Sequence, residues 1–510
     1  MKNILIKKFA AAALITSVIM GTGCAKIGEF GNTNNNPNGI ATPPTSALIT
    51  NVSSQLAGFA SNLRRGLYAQ YVAENQYTEN SLYQLPLLEM AGTYSGPLND
   101  LQVVINLNSN PATAGAAAAS GSNANQIAIA RIMKAYIYWT VTDAWGNVPY
   151  SEALQGAGNL TPKFDSQEPI YWNMIKELKE AAAQFDGGAT VKGDLMYAGN
   201  TASWQRLANS MRMLMAMRLS QRYPAPGGLA ALAFADAASA AGGTMTSNAH
   251  NFTLQFPGGT FSNPWYNVYL TRDDYASSKT MGDVLNGLGD TRLSVFGTNA
   301  VMFPYGLTRG LAIDYGNSVG NGQSRVLAVN QRQQNSPVTV IPSSIVLLAS
   351  AEAKERLWIG GGTAGAEADY NAAIANSFNE WGLNVPGTYM AGGANYAAGA
   401  GVPTSIGAGT APYDNFRAAS GNLQDAATTT KLQRIALQRW ICAFPNGNEG
   451  WAEQRRTGVP NLQTTRFKTG PFVTRYVYGN SDYGLNNANT VAAAAAMGGD
   501  LQDVKVWWDF

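Results

Sequence analysis

The chain has 510 residues, enough for a large buried core, but only 13% of them are charged, against ~25% in typical soluble proteins. Three of its 34 basic residues, Lys2, Lys7 and Lys8, lie in a leader-like first segment, and without them acidic residues outnumber basic ones by one. Because no basic cluster is present, the sequence excludes nucleic acid and other phosphate-rich partners. A surface rich in amides and hydroxyls suits neutral, hydroxylated ligands better.

Residues 1–23 have the pattern of a signal peptide. A basic start precedes an apolar stretch, Phe9–Met20, that is too short to span a bilayer. Small residues then lead directly to Cys24, as lipoprotein signal peptidase requires. We therefore predict that Cys24 is lipidated; ordinary secretion with a free thiol is the alternative.

The rest of the chain divides into two predicted parts. Residues 24–46 are polar, rich in Asn and Pro and without hydrophobic period, which predicts a tether. Helical periodicity begins at Ala47, and we predict a single domain over 47–510. No later run of 18 apolar residues follows, so a lipid on Cys24 would be the membrane attachment. With Cys442 as the one other cysteine, a disulfide framework is excluded.

Apolar residues at helical spacing predict a mainly helical domain. The predicted helices in the first three quarters of the chain are 47–71, 94–107, 127–142, 166–185, 201–222, 343–360 and 364–381. Residues 127–142 are apolar nearly all round, which is typical of a helix inside a core. The low-complexity stretch 111–125 is predicted to be a surface loop. The pair 343–360 and 364–381 has the pattern of one tetratricopeptide unit.

Two loop stretches combine aromatic rings with amide or charged side chains, the mixture that binds neutral sugars. They are Glu74–Tyr83 and Asn263–Tyr275. The predicted ligand-binding residues are Asn75, Gln76, Tyr77, Tyr83, Trp265, Tyr266, Tyr269 and Arg272. Trp265 is the first choice, because Asn263-Pro264 before it indicates an exposed turn. On this interpretation Trp265→Ala weakens binding by about 1–3 kcal/mol without unfolding the protein. The alternative is that these rings pack against helices.

The segment 439–460 holds the end of one helix and a short second helix with marked ends. Asn448 is the predicted N-cap of the second helix, and Gly458 and Pro460 its stop signals. Two arginines in its last turn could bind an anion, but we favour a structural role in which they tie the helix to neighbouring carbonyls and carboxylates. The residues assigned to this structural motif are Trp451, Glu453, Arg455, Arg456 and Gly458.

Catalytic and metal sites find little support in the sequence. His250 is the one histidine, no GxSxG motif accompanies it, and too few Cys and His residues remain for structural zinc. The GxGxxG match at 360–365 joins two predicted helices and is interpreted as a turn. No metal or cofactor is predicted. Carboxylates at Asp273, Asp274, Asp283 and Asp290 leave a glycosidase open as an alternative.

Several motifs, in order along the chain, resemble the SusD/RagB family of nutrient-binding outer-membrane lipoproteins. They are NNNPN at 34–38, DAWGNVPYSEAL at 143–154, the spaced residues from Asp194 to Ser210, DTRL at 290–293, GWAEQRRTGVP at 450–460 and WWD at 507–509. Together they extend over nearly the whole chain.

The resemblance implies a mainly α fold, with about four tetratricopeptide-like helix pairs as a scaffold, an irregular loop-rich face and few short strands. It also implies a lipoprotein of the outer membrane, facing the exterior, that binds a nutrient without catalysis. The favoured nutrient is an oligosaccharide, and the implied partner is a SusC-like TonB-dependent transporter that receives it. The alternative is a lipid-anchored glycoside hydrolase that uses paired carboxylates.

Overall fold

The computed structural model describes residues 43–297, 301–391, 431–462, 464–465 and 467–510. The predicted signal peptide, Cys24 and almost all of the predicted tether lie outside the described residues. The helices, in chain order, are α1 Thr45–Ala60, α2 Leu63–Tyr68, α3 Ala91–Thr93, α4 Asn99–Ser109, α5 Pro111–Ala117, α6 Asn123–Trp145, α7 Gln167–Gln184, α8 Thr201–Arg218, α9 Leu229–Ala238, α10 Pro264–Val268, α11 Lys279–Leu288, α12 Leu293–Phe296, α13 Arg309–Ser318, α14 Ser343–Glu355, α15 Gly362–Glu380, α16 Gly387–Ala391, α17 Lys431–Ala443, α18 Gly447–Thr457, α19 Asn480–Leu485 and α20 Asn487–Ala496.

The strands of the described ranges are short and pair into two-stranded antiparallel sheets. They are β1 Val72–Glu74, β2 Val148–Pro149, β3 Phe164–Asp165, β4 Phe252–Leu254, β5 Tyr275–Ser277 and β6 Val338–Ile341. β1 pairs with β5, β2 with β3 and β4 with β6. The β1–β5 and β4–β6 pairs each join parts of the chain that lie far apart in sequence.

Helices that are neighbours in sequence pack on one another and build the scaffold. Helix α6 packs between α4 and α7, α7 on α8, and α8 on α9. Later in the chain α14 packs on α15 and α17 on α18, and α14 also contacts both α8 and α17. The predicted fold class is confirmed: helix pairs form the scaffold, and short strands and loops lie between them.

Helix α6 is buried nearly all round, as its composition predicts. Its two cationic side chains are both hydrogen-bonded to neighbouring helices, and its one acidic residue, Asp143, pairs with Arg218 of α8 at 3.6 Å. Arg131 makes a bidentate contact with Glu177 on α7, at 2.8 and 2.9 Å, and Lys134 donates to the Gln102 side chain on α4 at 3.0 Å. The helix therefore supplies the centre of the core with each charged group hydrogen-bonded or ion-paired to a neighbouring helix.

The prediction of a surface loop over 111–125 is wrong. Residues 111–117 form helix α5, and 123–125 already belong to α6. Alanine has the highest helix propensity, Pro111 occupies the first helical position, and the Asn110 side chain accepts a hydrogen bond from the Ala112 N–H at 3.0 Å. Low complexity here reflects a run of helix-forming alanines.

The segment 439–460 is largely buried and packs against α2. Asn446, and not Asn448, is the N-cap of α18, and its side chain accepts from the Asn448 N–H at 3.0 Å. The Asn448 side chain instead accepts from the Arg65 guanidinium of α2 at 2.7 Å. Gly458 ends the helix with a left-handed φ of 68°, as predicted. Helices α2 and α18 are thus joined by groups 383 residues apart in sequence.

Within the part of the chain that the structure describes, the two arginines of α18 contact groups in the protein interior. Arg456 bonds to the carboxylates of Glu352 and Glu453, with closest approaches of 2.7 and 2.6 Å. Arg455 donates to the backbone carbonyls of Asp143 and Thr474, at 2.9 and 2.7 Å. These are the kinds of partner that the structural interpretation anticipates.

Candidate functional site

Strand pairing brings the two predicted ligand stretches together. Glu74 of β1 lies opposite Tyr275 of β5, and the Asn75 N–H donates to the Asp274 carbonyl at 3.0 Å. The loop that follows β1 and the loop that precedes β5 therefore leave the same end of one small sheet. Side chains about 200 residues apart in sequence can form a common surface there.

A buried carboxylate holds the loop after β1 in shape. Glu74 accepts hydrogen bonds from the Asn80 side chain at 2.6 Å, and from the Ser81 N–H and hydroxyl at 2.8 and 2.7 Å. Burial raises the pKa of the Glu74 carboxyl, although these donors oppose the shift. The contacts close the loop on itself, and Tyr77 at its tip is 43% exposed.

Tyr77 lies against two arginines, and we refer to Tyr77, Arg272 and Arg309 as the tyrosine–arginine cluster. The guanidinium carbons of Arg272 and Arg309 are 4.8 and 5.1 Å from the centre of the tyrosine ring. Arg272 also pairs with Asp274 at 2.7 Å. Hydrogen bonding with Tyr77 and the charge of Asp274 raise the pKa of the Arg272 guanidinium, so it remains protonated. The cluster combines an exposed ring with hydrogen-bond donors.

Sequence reasoning missed Arg309. It is the first residue of α13 and lies outside both predicted stretches. A cation at a helix N-terminus does not complement the helix dipole, so its position there does not stabilise the helix. An arginine at this unfavourable position is the local signal that could have identified Arg309 as a functional residue.

The remaining predicted residues of the first stretch are less accessible. Gln76 is half-buried beside Tyr77, and Asn75 is buried. Tyr83 is buried as well, with its ring centre 5.4 Å from that of Phe472. Tyr83 therefore supports the loop from inside and does not join the exposed cluster.

The expectation that Trp265 lies at an exposed turn is wrong, since the residue is 1% exposed. Asn263 and Pro264 are the N-cap and first residue of helix α10, and the Asn263 side chain accepts from the Trp265 N–H at 2.7 Å. Tyr269, at the other end of α10, is also buried, and its hydroxyl accepts from the Val326 N–H at 2.8 Å. Tyr266 is half-buried.

The carboxylates considered for a glycosidase are each paired with a cation. Asp273 contacts Arg325 at 3.0 Å, Asp274 contacts Arg272, Asp283 contacts Lys279 at 2.7 Å, and Asp290 contacts the buried Arg292 at 2.6 Å. A glycosidase needs one free nucleophile or base and one protonated acid flanking the substrate. These pairs do not supply that arrangement. Among the described residues no cluster of His, Cys, Asp or Glu is placed to hold a metal ion.

The fold indicates the class of protein: tetratricopeptide-like helix pairs form a scaffold that carries a loop-rich face. The family model SusD-like_2, described as "Starch-binding associating with outer membrane", matches residues 37–479. The chain belongs to this SusD-like family, as its motifs predict. None of the curated proteins matches it in sequence.

Solved structures with the same fold cover nearly the whole chain. A chitin-binding protein is 25% identical, with a TM-score of 0.71 over 91% of this chain and 99% of its own. A chitin-binding SusD homologue from Flavobacterium johnsoniae is 23% identical, with a TM-score of 0.71 over 91% and 98%. A SusD homologue from Bacteroides uniformis is 24% identical, with a TM-score of 0.73 over 91% and 99%.

Membership places the protein among carbohydrate-binding proteins that associate with the outer membrane. Within the described ranges, no helix combines the length and the apolar character needed to cross a membrane.

Proposed function

We propose that the protein is a lipid-anchored receptor on the outer face of the outer membrane, which binds a nutrient oligosaccharide and passes it to a SusC-like TonB-dependent transporter. It binds its ligand without catalysing a reaction. The observation that carries the proposal is the tyrosine–arginine cluster: the β1–β5 pairing brings Arg272 to the exposed Tyr77, and α13 adds Arg309.

The chemistry of the cluster fits a sugar ring. A pyranose has an apolar C–H face, which packs on an aromatic ring, and a rim of hydroxyls, which accept hydrogen bonds from guanidinium groups. Gln76, next to Tyr77 in the chain, provides a further polar group beside the cluster, whereas Asn75 is buried. In this proposal the buried rings support the ligand loops and do not contact the ligand; they are Trp265, Tyr269 and Tyr83.

The family description and the chitin-binding relative suggest which sugars to test first. We expect saturable binding when the purified protein is titrated calorimetrically with maltooligosaccharides and chitooligosaccharides. The same mixtures, incubated for hours, should release no new reducing ends. Released reducing ends would favour the hydrolase, and failure to bind either series would contradict the proposal.

Tyr77→Ala is expected to weaken oligosaccharide binding by about 1–3 kcal/mol, by analogy with the stacking of other ring-shaped ligands on aromatic side chains. The melting temperature should stay near that of the wild type, since the ring is 43% exposed. Phe510→Ala is the matched control, because that ring is 77% exposed and lies at the other end of the chain. Equal affinities for the wild type and Tyr77→Ala would remove Tyr77 from the site.

Cys24→Ser tests the anchor. The short apolar segment before Cys24 predicts that the cysteine is acylated after cleavage, so the variant should keep its leader and carry no lipid. Intact-mass measurement of the membrane and soluble fractions distinguishes the two forms. A variant with the wild-type mass and membrane attachment would contradict lipidation at Cys24.

A further inference from the structure

A second candidate site lies beside helix α1. A groove of about 530 Å³ runs between residues 54–62 and residues 256–267, which include the start of α10, and we refer to it as the phenylalanine groove. Its volume is in the range of small-molecule sites in proteins. None of the three residues of the tyrosine–arginine cluster lines it.

The lining of the phenylalanine groove contains no ionisable side chain. Phe59 and Phe261 are only half-buried, and Phe256 lies beneath Phe261 with ring centres 4.9 Å apart. A charged ligand would lose water here without meeting an opposite charge, which is costly. The groove therefore suits a neutral ligand that can pack on aromatic rings.

Amide groups on the wall of the groove have hydrogen-bonding capacity left over. The Gln55 side chain donates to the Asn51 carbonyl at 3.2 Å, and its own carbonyl oxygen has no partner among the described residues. The Asn62 side-chain oxygen accepts from the Arg65 N–H at 3.1 Å, and its NH₂ group likewise has none. These two amides thus offer one acceptor group and one donor group beside the rings of the groove. A neutral saccharide has matching hydroxyls and an apolar ring face.

We propose that the phenylalanine groove is a second carbohydrate site, which binds a neutral sugar unit separately from the tyrosine–arginine cluster. This inference rests on the proposed function, because it takes the protein to be an oligosaccharide receptor. It adds a site whose chemistry differs from that of the cluster: the cluster presents guanidinium donors, whereas the groove presents rings, amides and hydroxyls without an ionisable group.

Gly58→Glu tests the proposal by placing a bulky charge in the groove. Gly58 is exposed on α1, and a Cβ added there would meet no atom within 4 Å. Glutamate also has a higher helix propensity than glycine, so the fold should tolerate the change. With maltotetraose and tetra-N-acetylchitotetraose as probes, we expect affinity for the bound probe to fall at least tenfold, or one of two binding events to disappear, at an unchanged melting temperature.

Gly115→Glu is the matched control. Gly115 is also an exposed glycine in a helix with open space around it, but it does not line the groove. Gln55→Ala, with Asn51→Ala one turn earlier on α1 as its control, removes a hydrogen-bonding group and is expected to weaken binding severalfold. The Gln55 and Asn51 pair decides the question if Gly58→Glu melts early.

The possible results separate this inference from the proposed function. Wild-type affinity and stoichiometry in Gly58→Glu would overturn the groove site, while binding by the wild type would leave the proposed function standing. An equal loss in Gly115→Glu would show a general effect of charge and would also overturn the groove. A wild-type protein that binds neither probe would overturn both proposals.

Discussion

Arg456→Ala is expected to lower the free energy of unfolding by about 3–5 kcal/mol, the usual cost of removing one partner from a buried ion pair. The Arg456 side chain is fully buried between the carboxylates of Glu352 and Glu453. Burial by itself raises the pKa of Glu352, but Arg456 and Arg356 outweigh it and hold that pKa below its usual range. Without Arg456, two buried carboxylates lose their closest cation. Urea denaturation of the variant and the wild type measures the difference.

Lys176→Ala is the control for Arg456→Ala. Lys176 pairs with Glu180 at 3.8 Å on the surface of α7, where its side chain is 73% exposed. Such a pair contributes ~0–1 kcal/mol, so the control should unfold at nearly the wild-type urea concentration. Normal stability together with lost oligosaccharide binding in Arg456→Ala would mean that the arginine belongs to a ligand site.

Trp265→Ala is expected to destabilise the protein by about 3–5 kcal/mol, the cost of removing a large buried side chain. The ring borders a cavity of about 60 Å³ that is also lined by Trp381 of the turn after α15 and by Phe444 of the segment after α17. It therefore joins the ligand loops to the C-terminal helices. A lower melting temperature should accompany any loss of oligosaccharide affinity.

Trp265→Phe separates packing from ligand contact. The indole N–H of Trp265 has no hydrogen-bond partner among the described residues, so phenylalanine changes volume and costs no hydrogen bond. Much of the stability lost in Trp265→Ala should return. Wild-type melting together with weakened sugar binding in Trp265→Ala would restore the interpretation that the residue contacts ligand.

The sequence predicts most of the fold because helical periodicity is a local signal. The apolar run in 127–142 identifies the central helix, and the order of polar caps and glycine around 446–458 locates α18 to within two residues. The error at 111–125 has a different cause: small residues are common both in loops and in exposed helices. Composition does not separate the two cases, whereas a cap at Asn110 and a proline at position 111 do.

The candidate site is less predictable because distant parts of the chain create it. Three-residue strands such as β1 and β5 are too short to show a period, so their pairing leaves no trace in the sequence. Arg309 reaches Tyr77 only through that tertiary arrangement. Trp265 shows a second limit. Asn-Pro precedes exposed turns and short helices alike, and burial depends on what packs over the helix from elsewhere in the chain.

The contact between α2 and α18 has a consequence for the order in which the protein can mature. Arg65 can form its hydrogen bond only after Asn448 has been synthesised, 383 residues later. The Trp440 indole likewise donates to the Ala69 carbonyl at 3.2 Å, across 371 residues. The first helices are therefore synthesised long before the segments that they contact. Closing so long a loop is slow, and the apolar surface meanwhile stays exposed to chaperones and proteases. A chain that ends before α17 would lack Trp440, which contacts the chain just before β1, the strand that leads to Tyr77.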